Sequence, residues 1–150
     1  MKKFKFSLDS VLSYKQQILD ALRGEHAALL AEVREQEDLL ERCWQNYRDY
    51  NEEFRERSRI GLPLTEALLY QTNLRGMERE IQQETAILEE KRKKEEEKRE
   101  EVVEAKTETT SIEKLKEKKL RAYQKAEAKS EELFIEDVVN MTRILSRTEA

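Results

Sequence analysis

The chain has 150 residues, enough for one ordinary domain, and 41% of them are charged against a usual share of about 25%. Three Gly and one Pro exclude a fold with many turns, and they also exclude the Pro- and Gly-rich composition of ordinary disorder. A net charge of −4 gives no global case for nucleic acid or a membrane surface as partner.

The single Cys rules out an internal disulfide and fits a reducing compartment. The opening "MKKFKFSLDS" is basic, but no apolar run of signal-peptide length follows it. No stretch approaches the roughly 18 apolar residues of a membrane span. The expectation is a soluble, cytoplasmic protein.

Residues 8 to 54 carry a seven-residue repeat. Alternating steps of four and three give Leu8, Leu12, Lys15, Leu19, Leu22, His26, Leu29, Val33, Gln36, Leu40, Cys43, Tyr47, Tyr50 and Phe54. All but Lys15, His26 and Gln36 are apolar or aromatic, which predicts a coiled-coil seam. Ser7 is placed to cap the helix, Asp9 falls in the first turn, and Phe6 is spaced to staple onto Val11. Arg55, Arg57 and Arg59 suit a helix C-terminus, and Gly61 suits the left-handed residue after it.

"GLPLTEALL" restarts a helix, with Thr65 as its predicted N-cap and Leu64 spaced to staple onto Leu69. So short a connection predicts antiparallel neighbours. The second helix has seam residues Leu74, Met77, Ile81 and Leu88. The seam resumes at Val102, Ala105, Thr109, Ile112 and Leu115, and continues through Tyr123, Ala126, Leu133 or Phe134, Val138, Met141 and Leu145. No breaker stands between Thr65 and Arg147. The expected fold is all-α: one antiparallel coiled-coil hairpin over 1–150. Helix 1 covers about 7–59, the turn about 60–64 and helix 2 about 65–147. The longer second helix should overhang the first.

Between Leu88 and Val102 every residue is Glu, Lys or Arg. Pairs such as Glu89–Lys93, Glu90–Lys94 and Glu95–Arg99 have the favoured order, and each is worth about 0.2–0.5 kcal/mol. This predicts a solvated stretch of helix rather than a linker. A turn near residue 62 sets the run opposite residues 22–34. Its Lys and Arg stems are then placed to cover Leu22, Leu29 and Val33. The competing reading has those residues presented to another protein.

Catalytic signatures are missing. Three scattered glycines make no phosphate-binding loop, and one Cys with one His makes no zinc cluster. His26 and Cys43 both fall on the seam, as packed residues. Carboxylates on narrow helices have no pocket to shift their pKa. No enzyme, cofactor or metal is expected.

Two surfaces are candidates for partners. Beside the turn lie Trp44, Tyr47, Tyr50, Phe54, Tyr70, Asn73 and Met77, more aromatic area than two helices can bury. The other is "EKLKEKKLRAYQKAEAK", residues 113–129, a basic stripe whose single aromatic argues for an acidic protein surface over nucleic acid.

Four stretches together resemble the FliJ family of flagellar type III export proteins. They are "FKFSLDSVLSYKQ", "YRDYNEEF" before "RIGLPLTEALLY", "YQTNLRGMEREIQQE", and "SIEKLKEKKLRAYQKAEAKSEELFIED" with its acidic pair Glu136 and Asp137. Asn73 stands where members often carry an aromatic.

The resemblance implies a non-enzymatic antiparallel coiled coil similar to the gamma stalk of rotary ATP synthases. It would bind the hexameric flagellar export ATPase, contact the cytoplasmic domain of the export gate and escort export chaperones. It would bind no nucleic acid and would meet the membrane only peripherally, at its cytoplasmic face. By that analogy the end with both termini enters the ATPase ring. This assigns Phe4, Phe6, Lys116, Lys118, Lys119, Arg121 and Lys125 to the ATPase side. Tyr47, Tyr50, Tyr70, Asn73 and Met77 fall on the gate side. The equivalent stalk of a virulence secretion system and a generic self-associating coiled coil remain as alternatives.

Overall fold

The computed structural model describes residues 2–149; residues 1 and 150 of the expected domain lie outside the described residues. Two helices make up the described chain, α1 (Asp9–Ile60) and α2 (Leu64–Thr148), packed against each other as a hairpin. The second is the longer, at 85 residues against 52.

Helix boundaries are set by backbone more than by the expected caps. The first bond of α1 runs from the Leu12 amide to the Leu8 carbonyl at 2.8 Å, so Leu8, not Ser7, is the cap residue. The turn before it is closed by the Asp9 amide on the Phe6 carbonyl at 3.2 Å. At the other end Gly61 takes φ +119°, the left-handed conformation a side chain would resist, and its amide bonds the Arg57 carbonyl at 3.0 Å.

Helix α2 then starts earlier than Thr65 predicts. The Ala67 amide bonds the Pro63 carbonyl at 3.0 Å, which makes Pro63 the cap. Proline fixes its own φ and bars Leu62 from helical geometry, so the chain stays extended up to Pro63 and turns helical directly after it. The predicted Leu64–Leu69 staple does not form, as both side chains are largely exposed.

Contacts divide the chain into two compact units. One spans residues 20–103 and contains the turn. Its core is Val33, Tyr70, Leu74, Ile81 and Leu88, spaced along the seams of the two helices. Within this unit the charge run is uninterrupted helix, and it faces the segment expected, residues 22–34, and Glu37 just past it. Lys98 meets Glu25 at 2.9 Å, His26 meets Glu95 at 2.8 Å and Arg92 meets Glu37 at 3.2 Å.

Counting by four and three from Leu88 lands on Lys91, Glu95, Lys98 and Val102. Lys91 and Lys98 are half-buried, as their stems require, but Glu95 is buried with 6% of its surface exposed. Its carboxylate accepts from His26 and, bidentately, from Arg99 at 2.8 Å. Hydrogen bonding from Arg99 first, then His26, holds that carboxyl below the ordinary carboxylate range. Of the expected pairs within the run, Glu95–Arg99 and Glu90–Lys94 form, at 2.8 and 3.8 Å.

The other unit comprises residues 1–19 and 104–150, described here for 2–19 and 104–149. Phe6, Leu12, Leu19 and Thr109 are its buried residues. Thr109 is the most enclosed side chain of the described residues, at 1% exposure, and its hydroxyl donates to the Ala105 carbonyl at 2.7 Å. Ion pairs Lys15–Glu108 and Lys116–Asp9 flank this short seam at 2.8 and 2.7 Å. Residues 2–6 carry no helix and run on along α2. Phe4 packs on Tyr123 with ring centroids 5.5 Å apart, and the Tyr123 hydroxyl donates to the Lys2 carbonyl.

Candidate partner-binding surfaces

In the unit that contains the turn, the aromatic residues predicted as a surface are divided by burial. Tyr70 is buried, at 7% exposure. Its ring lies 4.9 Å from Tyr50 and 5.2 Å, nearly parallel, from Phe54. The Arg57 guanidinium sits over it at 5.7 Å and donates to its hydroxyl at 3.0 Å, while that hydroxyl donates to Glu53 at 3.2 Å. Tyr70 is therefore the centre of the packing near the turn.

Tyr50 is half-buried and accepts from the exposed Asn73 amide at 2.8 Å. Met77 is half-buried next to it on α2. Tyr47 is half-buried and donates to Glu78 at 2.9 Å, a bond that raises its phenol pKa. So Asn73, Met77 and an edge of Tyr50 reach the surface on one flank, with Tyr70 beneath Tyr50, while Tyr47 reaches it on the other flank.

The more exposed apolar residues here are ones the sequence reading passed over. Ile60, Leu64, Leu68 and Leu69 are 80%, 74%, 53% and 60% exposed, all at or just after the turn. The signal was present in the sequence. "IGLPLTEALL" holds more large apolar residues than a three-residue connection and one helix turn can cover, and the staple assigned to two of them does not form.

In the unit that contains both termini, Phe6 is buried and Phe4 half-buried against Tyr123. Lys116 is half-buried and paired with Asp9, and Arg121 pairs with Glu117 four residues before it. Lys118, Lys119 and Lys125 are exposed and have no ion-pair partner among the described residues. Lys114 and Lys129 are exposed and unpaired as well, so the predicted basic stripe is five lysines with no ion-pair partner among the described residues beside two committed cations.

From residue 128 to residue 149 every residue is exposed. Leu133, Phe134, Ile135, Val138, Val139, Met141, Ile144 and Leu145 stand at 43–69% exposure. Phe134, Val138, Met141 and Leu145 keep the four-three spacing of a seam, with no helix against them.

Among the described residues no group of three His, Cys, Asp or Glu side chains is placed to hold a metal ion. Cys43 is half-exposed, and burial together with Glu80 and Glu84 raises its thiol pKa, the opposite of what a nucleophile requires. No helix of the described residues is long and apolar enough to cross a membrane.

A family model described as "Flagellar FliJ protein" matches residues 4–147. No curated protein matches the chain, and no solved structure does. The match takes in the strap at residues 4–8, α1, the turn and α2 to one residue before its end. The chain belongs to the FliJ family and is a flagellar export-related protein.

Proposed function

We propose that this protein is a non-enzymatic coupling element of the flagellar export apparatus, which binds the export ATPase hexamer through one unit and the cytoplasmic domain of the export gate through the other. The reading extends to escort of export chaperones and to a cytoplasmic location at the inner face of the membrane. The observation that carries it is the end of α2, where 22 residues numbered 128–149 keep an apolar stripe with no helix to cover it. A helix of that length draws most of its stability from packing, so its stripe calls for an outside surface.

The unit with both termini is the ATPase side. Lys118, Lys119 and Lys125 are free to meet acidic groups of the ring. Phe4, Phe6, Lys116 and Arg121 hold the strap and helix that present them. The turn is the gate side. Asn73, Met77 and the edges of Tyr47 and Tyr50 contribute to it, Tyr70 shapes it from beneath, and the exposed Ile60, Leu64, Leu68 and Leu69 extend it. Work is transmitted through position and binding energy, with no bond made or broken by this chain.

The test is a truncation that removes residues 129–150, all of them exposed where described. Binding to the cognate ATPase and stimulation of its turnover should be lost, while binding to the gate domain is kept. Unchanged stimulation would overturn the orientation.

A further inference from the structure

A groove runs along α2 on the flank opposite Asn73 and Met77. Tyr50–Asn73 and Cys43–Glu80 bridge the helices on one flank, and Tyr47–Glu78 bridges them on the other, as 100° per residue requires. On this second flank a hollow of about 580 Å³ lies between Trp44 and Tyr47 of α1 and Ile81, Thr85 and Ala86 of α2, with Glu78 and Glu89 at its rim. It continues past Glu78 and Gln82 into a second hollow bounded by Thr72, Arg75 and Arg79.

The groove therefore spans residues 72 to 89 of α2, about 26 Å at 1.5 Å per residue. The first hollow has Ile81 and Ala86 at its floor, and its wall is the single Trp of the chain, 41% exposed and set edge-on to Tyr47 at 6.0 Å; polar and charged side chains line the second. Arg75 and Arg79 lie at one end and Glu89 at the other, with Glu78 between them accepting from the Tyr47 hydroxyl. None of Arg75, Arg79 and Glu89 has an ion-pair partner among the described residues. By contrast, the nearby acids of α1 are engaged, Glu37 by Arg92 and Glu41 by Arg48. The pair expected between Glu89 and Lys93 does not form, which leaves the Glu89 carboxylate at the rim.

We infer that this groove is a docking site for an amphipathic helix of another protein, one with acidic residues in its first turn and basic residues in its last. The helix lies parallel to α2, its acids on Arg75 and Arg79, its bases on Glu89, and an apolar side chain against Trp44, Ile81 and Ala86. The order of charge selects the orientation, because acids at the N-terminus and bases at the C-terminus are what a helix dipole favours in any case. A Trp at the centre with charges at the ends is the layout of an anchored interface with a polar rim. The site goes beyond the gate and ATPase surfaces above and shares with them Tyr47 alone.

Trp44 reports on the site directly. The probe is a synthetic Trp-free helix of about 18 residues, the length of the groove, with Leu at i, i+3, i+4 and i+7, Glu in the first turn and Lys in the last. Titrated into the full chain, it should shift Trp44 emission to shorter wavelength with saturation. The double variant R75E/R79E and the single variant E89K should each weaken binding about fivefold, the size of a lost exposed ion pair or two. All three positions are exposed, and E89K alone carries the test if the double reversal unfolds. Absence of a saturable shift overturns the proposal, as does affinity indifferent to both reversals. A Trp44 shift that grows with protein concentration before peptide is added also overturns it, since a second copy then fills the groove.

Discussion

Replacing Tyr70 separates the two things its side chain does. Its ring is 7% exposed, stacked on Phe54 and tilted against Tyr50, and its hydroxyl joins Arg57 to Glu53. Tyr70→Ala removes an aromatic surface of about 150–250 Å², which at about 25 cal/mol/Å² is worth about 4 kcal/mol. That figure agrees with the cost of about 3–5 kcal/mol for deleting a buried ring. For a chain of this length the melting temperature should fall by about 8–16 °C. Tyr70→Phe keeps both stacked pairs and loses hydrogen bonds whose partners remain open to water, at a cost of about 1 kcal/mol and a fall of about 3 °C. Far-UV circular dichroism during heating reads both. If Tyr70→Ala melts within about 3 °C of the parent, or Tyr70→Phe falls as far as Tyr70→Ala, the packing account of the turn is wrong. The pair also tests the gate surface proposed above: if Tyr70 shapes that surface from beneath, binding of the gate domain should be retained as Phe and lost as Ala.

Glu95 should steepen the acid limb of stability. Its folded pKa lies below the unfolded value of about 4.3, so its contribution is complete above that value and is lost as pH falls through the folded one. Melting temperature against pH should therefore fall more steeply below about pH 4.3 for the parent than for Glu95→Gln, and superposable acid limbs would refute the assignment. Phe4→Ala should free the strap that Tyr123 holds, so that trypsin cuts after Lys5 faster than in the parent; an unchanged rate would mean that Phe4 does not secure it. Gln36 is 5% exposed on the seam and donates to the Glu84 carbonyl at 3.1 Å. The same amide also donates to the half-buried Glu84 carboxylate at 2.5 Å. Gln36→Leu removes only one partner and leaves that acceptor without its donor, so the melting temperature should fall by about 2–4 °C, and a rise would mean that the bond contributes nothing.

The hairpin was legible because its cues are local. A four-three count of apolar residues, a lone Gly-x-Pro connection and the absence of breakers specify two helices and an antiparallel turn, and the turn position alone carries the register by which His26 meets Glu95. What stayed hidden depends on the partner helix. Glu95 sits in an unbroken run of charge and reads as solvated, yet the four-three count from Leu88 to Val102 passes through it, and His26 stands on the facing seam. Periodicity of apolar residues cannot register a seam position filled by a carboxylate. Tyr70 was placed on a surface for the related reason that aromatic residues near a turn look unburied until the steps of four, three and four through Tyr70, Leu74, Met77 and Ile81 are taken together.

The distribution of polarity along the seam bears on what this molecule is for. Where α2 has its own partner, the seam tolerates Glu95 in the core, Gln36 opposite Glu84, and Lys91 and Lys98 at half-burial. Where α2 has no partner, the seam returns to Phe134, Val138, Met141 and Leu145, all exposed. If folding alone had shaped the chain, the order would be reversed, with apolar residues where they can be buried and polar ones where they meet water. Polar layers within the hairpin fix its register at a cost in stability. An apolar stripe beyond it stabilises nothing in the isolated chain and costs solubility. A partner that covers it, as the proposed function requires, would give the stripe its benefit, and the truncation of residues 129–150 tests that directly.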